Sequence, residues 1–301
     1  MAATVEPLQL LAIFGATGNI SSTILNHLEE ATLNSEKLGG SKMSFAVRVC
    51  TRQPDLLQVG KFSFPTEICK GSIDDIDRLD ILLQGVSRVF FCLPQHLSAS
   101  DMVMVSRAFT DSAKRVGVKV VVRISSYGMD DRSASTCFQG SLGEAHIAGE
   151  KYMRESGLIV TSVRPTSFFS NFLKYDVPSI RSSQNFFSPL GKEASVNWIS
   201  CEDISAVVAI SLVNSSLDGR VLDITGSENN TLSADKMRSL IQSKTGKTIS
   251  YVELPLPESG EMNGLWTFLR AGGFSHSTTI FEEVTGRKPM EFSEYLDNLE
   301  L

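Results

Sequence analysis

Apolar positions along the chain fall into two alternating patterns. Short continuous runs occur at Leu8–Phe14, Ser44–Cys50, Arg88–Pro94 ("RVFFCLP"), Val118–Ser126 ("VKVVVRISS") and Leu158–Arg164. Between them apolar residues return every three or four positions: Ile20, Ile24, Leu25 and Leu28, then Ile76, Leu79, Leu82 and Leu83. Continuous runs predict strands buried on both faces, and the three-to-four spacing predicts helices with one apolar stripe. Further helices are predicted over Ser100–Val116 and over Leu142–Ser156, the latter closed by Gly157. A polar loop, Asn34–Lys42, separates the first helix from the second strand. Strand and helix in alternation imply an α/β fold, a Rossmann-type doubly wound parallel sheet.

After Pro165 the pattern is less regular. Helices are predicted over Ile204–Leu212, Ser233–Lys244 and Ser293–Leu299, and strands over Val221–Ile224 and Ile249–Leu254. The expected organisation is a nucleotide-binding domain over residues 1–165. A smaller, mainly substrate-binding α/β region over 166–301 is laid over its strand ends, and some of its strands return to the first sheet.

The first strand runs into "GATGNISS". A strand, then G-x-x-G, then a helix presents backbone N–H groups at a helix N-terminus, where the helix dipole favours a pyrophosphate. Gly15 permits the tight turn and Gly18 a close backbone approach. Ser21 stands where a third glycine is expected; that position governs only how closely helix meets strand. Glycine pairs also serve plain strand–turn–helix joints, so the surrounding alternation carries part of the argument. At the end of the second strand, "VRVCTRQPD" places Arg52 and no acid before Pro54. An arginine there suits a 2′-phosphate, hence NADP(H) rather than NAD. The alternative for Arg52 is a solvated loop residue.

The 301 residues carry a formal net charge of −6, which argues against a broad affinity for nucleic acid. No apolar run approaches the roughly eighteen residues of a membrane span, and the N-terminus reads as a first strand instead of a signal peptide. Five cysteines, Cys50, Cys69, Cys92, Cys137 and Cys201, are odd in number and widely spaced. Neither a disulfide framework nor a metal site is expected, and reduced thiols fit a cytoplasmic protein.

The order of "GATGNI", "TRQP", "GSIDDIDRLDILLQGV", "VFFCLP", "GVKVVVRISS", "HIAGEKYMRESGLIVTSVRP", "FFSNF", "EDISAVVA" and "EVTGRKPMEFSEYL" resembles NmrA-like proteins, which are atypical short-chain dehydrogenases. The closing "TGRKP" and acidic helix look most like the quinone and iminium reductase branch. The resemblance implies that Gly15, Thr17, Gly18, Asn19 and Ile20 hold the pyrophosphate and Arg52 the 2′-phosphate. It sets Ser72 and Ile73 near the adenine, where the family usually carries an acid directly after the glycine. Leu93, Pro94 and Gln95 would flank the ribose and nicotinamide, with Ser125 and Ser126 nearby. Pro165, Thr166 and Phe169 would wall the nicotinamide pocket.

Ordinary short-chain dehydrogenases use Tyr-x-x-x-Lys on the helix after the fifth strand. The matching positions here are His146 and Glu150, four apart on one helical face. A carboxylate raises a histidine pKa, so an imidazolium acid is expected. The alternative is an exposed helical pair. Tyr127 is a second proton-donor candidate at a strand end, and its alternative is plain packing. Tyr127, Phe168, Phe172 and Trp266 are candidates to bind substrate, with "LRAGGFSHS" as a mobile lid carrying His276. These features imply an NADP(H)-dependent reductase for a bulky, apolar, conjugated iminium, enone or quinone, in secondary metabolism, with reduction coupled in one variant to cyclisation or rearrangement. The competing expectation is a non-catalytic NADP-binding redox sensor or transcriptional regulator that has a protein partner.

Overall fold

The computed structural model describes residues 8–37, 44–57, 60, 62–129, 141–258 and 262–300. In chain order the strands are β1 (Gln9–Phe14), β2 (Phe45–Thr51), β3 (Thr66–Lys70), β4 (Arg88–Phe91), β5 (Val120–Ile124), β6 (Ile159–Pro165), β7 (Ser167–Phe168), β8 (Asn185–Ser188), β9 (Ser195–Ile199), β10 (Val221–Ile224), β11 (Thr231–Ser233) and β12 (Ser250–Glu253). The helices are α1 (Ser21–Lys37), α2 (Leu79–Leu83), α3 (Ala99–Arg115), α4 (Leu142–Glu155), α5 (Phe169–Asn171), α6 (Val177–Ser183), α7 (Cys201–Val213), α8 (Ala234–Thr245), α9 (Asn263–Arg270), α10 (Ile280–Thr285) and α11 (Phe292–Asp297). A π-helical turn, Phe172–Asp176, joins α5 to α6.

Seven strands form one parallel sheet in the order β10-β6-β5-β4-β1-β2-β3. The pleat explains why its strands read as unbroken apolar runs. In β1, Leu11 and Ile13 pack on the face covered by α1 and α7, while Ala12 and Phe14 pack on the face covered by α2, α3 and α4. Cores on both faces make this a three-layer α/β unit, as the alternation predicts. The C-terminal region adds a three-stranded sheet, β11-β9-β7, and a two-stranded one, β12-β8. These enclose a separate core around Phe169, Phe172, Phe186 and Phe292. The chain returns to the large sheet through α7 and β10, the latter pairing with β6 from Val221↔Ser162 to Ile224↔Pro165.

Three local expectations change. Helix α1 runs on to Lys37, past Asn34 where a loop is predicted; residues 38–42 of that loop lie outside the described residues. The stripe from Ile76 splits into a 3-10 turn, Ile76–Arg78, and the short α2. Strands β3, β8 and β9 carry half-exposed or polar positions and escape a search for continuous apolar runs. Cys137 also lies outside the described residues; Cys50, Cys69, Cys92 and Cys201 are free thiols. Among the described residues no helix is long and apolar enough to cross a membrane.

Candidate active site

All seven strands of the parallel sheet end on one rim, and the loops leaving that rim carry most of the residues singled out above. This is where open α/β sheets bind ligands. Gly15 has φ +70°, which a side chain rarely adopts, and its N–H donates to Cys50 O at 2.8 Å. A Cβ at Gly18 would stand 3.1 Å from Gly15 O, so the turn favours glycine at both positions. Thr17, Gly18 and Asn19 are exposed at the entry to α1, while Ile20 turns its side chain into the core. Ile20 therefore has only backbone to offer a phosphate. Ser21 Oγ donates to Phe14 O at 3.1 Å, and this bond ties α1 to β1. The missing third glycine is replaced by a buried hydrogen bond that does the same joining work. These features fit a pyrophosphate.

Arg52 is exposed at the end of β2. Gly71 N–H donates to Thr51 O at 3.0 Å, which sets the loop after β3 beside Arg52. Ser72 stands in that loop, but Ile73 is buried under the sheet and its side chain does not reach the rim. Asp74 makes an ion pair with His96 (Oδ2–Nε2 3.2 Å) in the loop after β4. Burial opposes its charge. The Ser72 hydroxyl, its own backbone N–H, His96 and Arg52 outweigh burial and hold its carboxyl below the usual range. Leu93 and Pro94 are half-buried after β4, and Gln95 accepts from Lys174 Nζ of the π-helical turn at 3.3 Å.

The end of β5 and β6 is different. Arg123 of β5 is fully buried, with its guanidinium 5.1 Å from the Phe91 ring centre and its Nη2 donating to His146 O at 3.3 Å. Gly149 makes room for it, since a Cβ there would lie 3.2 Å from Arg123 Nη2 and 2.7 Å from Ser106 Oγ. Glu150 is buried and accepts from Arg164 (Nη2 2.6 Å, Nε 3.3 Å) and from Arg154 Nε (3.2 Å). Burial opposes its charge too, yet Arg164, the Ser125 hydroxyl and the Arg123 cation hold the carboxyl below the ordinary range. His146 is half-buried with its Nδ1 shut off from solvent, and burial followed by the Arg123 cation pushes its pKa down to about 3. Its Nδ1 finds no hydrogen-bond partner among the described residues.

The expected imidazolium is therefore corrected to a neutral imidazole. Glu150 does favour a proton on His146, but desolvation and Arg123 win. Glu150 is neither an exposed helical partner nor free to exchange protons, because it is the buried counter-ion of Arg164 and Arg154. Tyr127 N–H donates to Pro165 O at 3.0 Å, and its ring meets Phe274 edge-on at 5.9 Å. Burial, then Asp223, raises its pKa, so the phenol keeps its proton at neutral pH.

Tyr127 shares a small apolar cluster with Trp198, Trp266, Phe268 and Phe274. Phe168 packs against the sheet core instead. Phe169 and Phe172 are withdrawn into the C-terminal core, each edge-on to Phe292 at 5.2 and 5.3 Å. This corrects their expected contacts with nicotinamide and substrate. Pro165 is buried at the end of β6, Ser125 is buried at the end of β5, and Ser126 is half-buried. Thr166 Oγ1 is 3.1 Å from Asn197 Oδ1, to which it donates. The glycines of "LRAGGFSHS" have a steric reason. Gly272 has φ +85°, and a Cβ at Gly273 would fall 2.2 Å from the Phe268 ring. Phe274 O accepts from Asn197 N–H at 2.7 Å, and His276 is exposed. A cleft of about 780 Å³ lies beside β10, lined by Val221, Asp223, Thr278 and Phe281 among others, and includes none of the expected site residues.

Sequence reasoning missed Arg123, Asp74 and His96. The first hides in a β-branched run. Asp74 lies inside the motif "GSIDDIDRLDILLQGV" and His96 directly follows Gln95, but nothing in the sequence pairs the two.

The NmrA-like family model matches residues 7–301. An NAD(P)H azoreductase of Xenophilus azovorans is 27% identical over 300 residues, covering 95% of this chain and 96% of the relative. An NADPH-dependent quinone oxidoreductase from Escherichia coli, solved with NADPH, superposes with a TM-score of 0.74 at 19% identity, covering 95% of this chain and 98% of the other. NmrA, a negative transcriptional regulator solved with NADP, gives 0.69 at 14% identity, with 97% and 95% covered. At these identities the two structures establish likeness of fold.

Proposed function

The chain belongs to the NmrA-like family, and on that premise we propose that it is an NADP(H)-dependent oxidoreductase that reduces a bulky, flat, conjugated acceptor. Quinones, azo compounds, enones and iminium ions form this class. One observation carries the reading: the rim pairs an open phosphate loop with a proton-transfer position that is locked. The names of the azoreductase and quinone oxidoreductase relatives support the same class.

Bound NADPH supplies a hydride. The loop Gly15–Ile20 holds its pyrophosphate, Arg52 its 2′-phosphate, and Leu93–Gln95 with Ser125–Tyr127 and Pro165 orient its nicotinamide end. Tyr127 and Trp266 present apolar faces to the acceptor. Neither neutral His146 nor Glu150 delivers a proton near neutral pH, so the best acceptors need none at the moment of hydride arrival. An iminium becomes a neutral amine, and a quinone becomes a delocalised anion. Positioning of the two rings then does most of the catalysis. Tyr127, a protonated phenol, is the donor at hand for the later proton. A place in secondary metabolism, with hydride arrival starting a cyclisation, is the finer form of this proposal; product analysis by mass spectrometry tests it.

Anaerobic mixing of the protein with NADPH and a panel of quinone, azo and iminium acceptors is the direct test. Loss of nicotinamide absorbance above background is expected with at least one. A second reading, a regulator that binds NADP without turnover, is favoured by the same locked pair and by the fold likeness to NmrA. Tight NADPH binding with no acceptor reduced would decide for it.

A further inference from the structure

The loops after β3 and β4 touch although β2 and β1 lie between their strands in the sheet. The contact is the Asp74–His96 pair, with Asp74 the more enclosed partner at 22% side-chain exposure against 55% for His96. Gly71 N–H bonded to Thr51 O keeps this loop next to Arg52. The adenosine end of the groove thus sets the Asp74 carboxylate between the basic side chains of Arg52 and His96. An arginine there favours the 2′-phosphate, whereas an acid favours an unphosphorylated ribose.

We propose that Asp74 is a specificity-determining residue that limits preference for the phosphorylated dinucleotide, by acting as an internal anion in the field of Arg52 and His96. An incoming 2′-phosphate has to share the Arg52 cation with the carboxylate and is repelled by it. NADH brings no such charge and leaves the arrangement intact. His96 restrains Asp74: while the pair holds, part of the carboxylate charge is directed away from Arg52. The inference rests on the cofactor reading given above.

The test uses the full chain and measures dissociation constants for NADPH and NADH by tryptophan quenching at low salt, in wild type, D74N, H96A and R52A. D74N is expected to tighten NADPH three- to tenfold and to leave NADH nearly unchanged. H96A is expected to move the NADPH:NADH preference the opposite way, because the released carboxylate faces Arg52. The shift caused by D74N should shrink in the R52A background and at high ionic strength, where exposed charges are screened. An NADPH:NADH ratio unmoved by D74N, or moved toward NADH, overturns the proposal. H96A shifting the ratio in the same direction as D74N also overturns it, since Asp74 would then act only as a loop tether. H96A alters an exposed side chain, so it remains informative even if D74N does not fold. Wild type that binds neither dinucleotide overturns the cofactor reading together with this proposal; wild type that binds both, with a ratio that D74N leaves unmoved, overturns this proposal alone.

Discussion

Asp74 and Glu150 are two carboxylates at opposite parts of one rim, and each has basic neighbours. Asp74 stands in a loop beside exposed Arg52 and half-exposed His96. Glu150 lies in the core, clamped by Arg164 and Arg154 and facing Arg123. Charges at the first part are solvated, so a ligand can rearrange them cheaply. Charges at the second are largely withdrawn from water and paired on Glu150, so moving a proton there costs much more. The contrast separates binding from proton chemistry: under the proposed function the open part of the rim takes the dinucleotide, while the position of the usual acid–base pair is a structural ion cluster.

The sharpest break of that comparison is Glu150→Ala. It leaves buried Arg123 and half-buried Arg164 without their counter-ion and is expected to destabilise the fold by about 3–5 kcal/mol in denaturant titration. Glu150→Gln should cost less. It should also flatten acid unfolding: a carboxyl held below its free range stabilises above that range and loses the contribution as pH falls through the folded value. A variant of unchanged stability but abolished turnover would instead make Glu150 catalytic.

Next in size is Arg52→Ala. Loss of a charge-assisted contact, about 1.5–3 kcal/mol, is expected to weaken NADPH by roughly ten- to a hundredfold and NADH little. Equal losses for both would remove the 2′-phosphate from the open end of the rim. Ser21→Ala should lower stability by about 1 kcal/mol through the unpaired Phe14 carbonyl, read as a shift of the denaturation midpoint. The smallest effect on rate is expected for His146→Gln. With an imidazole pKa near 3, the pH–rate profile between about pH 6 and 8 should be unchanged. Its effect belongs to stability: the unfolded histidine protonates near 6.5 and the folded one only far lower. Wild type should therefore lose stability as pH falls below about 6.5, and the variant should not share that loss.

The parallel sheet was legible because burial on both faces writes itself as uninterrupted apolar runs, as in Leu11–Phe14 and Val120–Val122. Of the C-terminal sheets only β12 was, within the run Ile249–Leu254; strands such as β9 carry a buried Asn197 whose amide bonds to Ser227 O and Thr231 Oγ1 replace apolar packing. The glycine loop was legible down to the meaning of Ser21. The spacing of His146 and Glu150 was legible too, but their protonation was not. That depends on Arg123 and Arg164, which approach from neighbouring strands and leave no trace on α4. Phe169 and Phe172 illustrate the same limit: aromatic content marks a core, and only tertiary structure says which core.

Strand β10 has a consequence for how the molecule is made. It completes the sheet beside β6, and Arg88 of β4 donates to Asp218 at 3.0 Å, a partner 130 positions later. During synthesis the first 165 residues emerge with the outer edge of β6 bare and Arg88 unpaired. They must wait for translation of α7 and β10 before the edge is covered. Contacts this distant in sequence slow folding and leave a sticky edge exposed meanwhile. A fragment ending at residue 165 is therefore expected to aggregate, and the shortest segment that closes the sheet extends to Ile224.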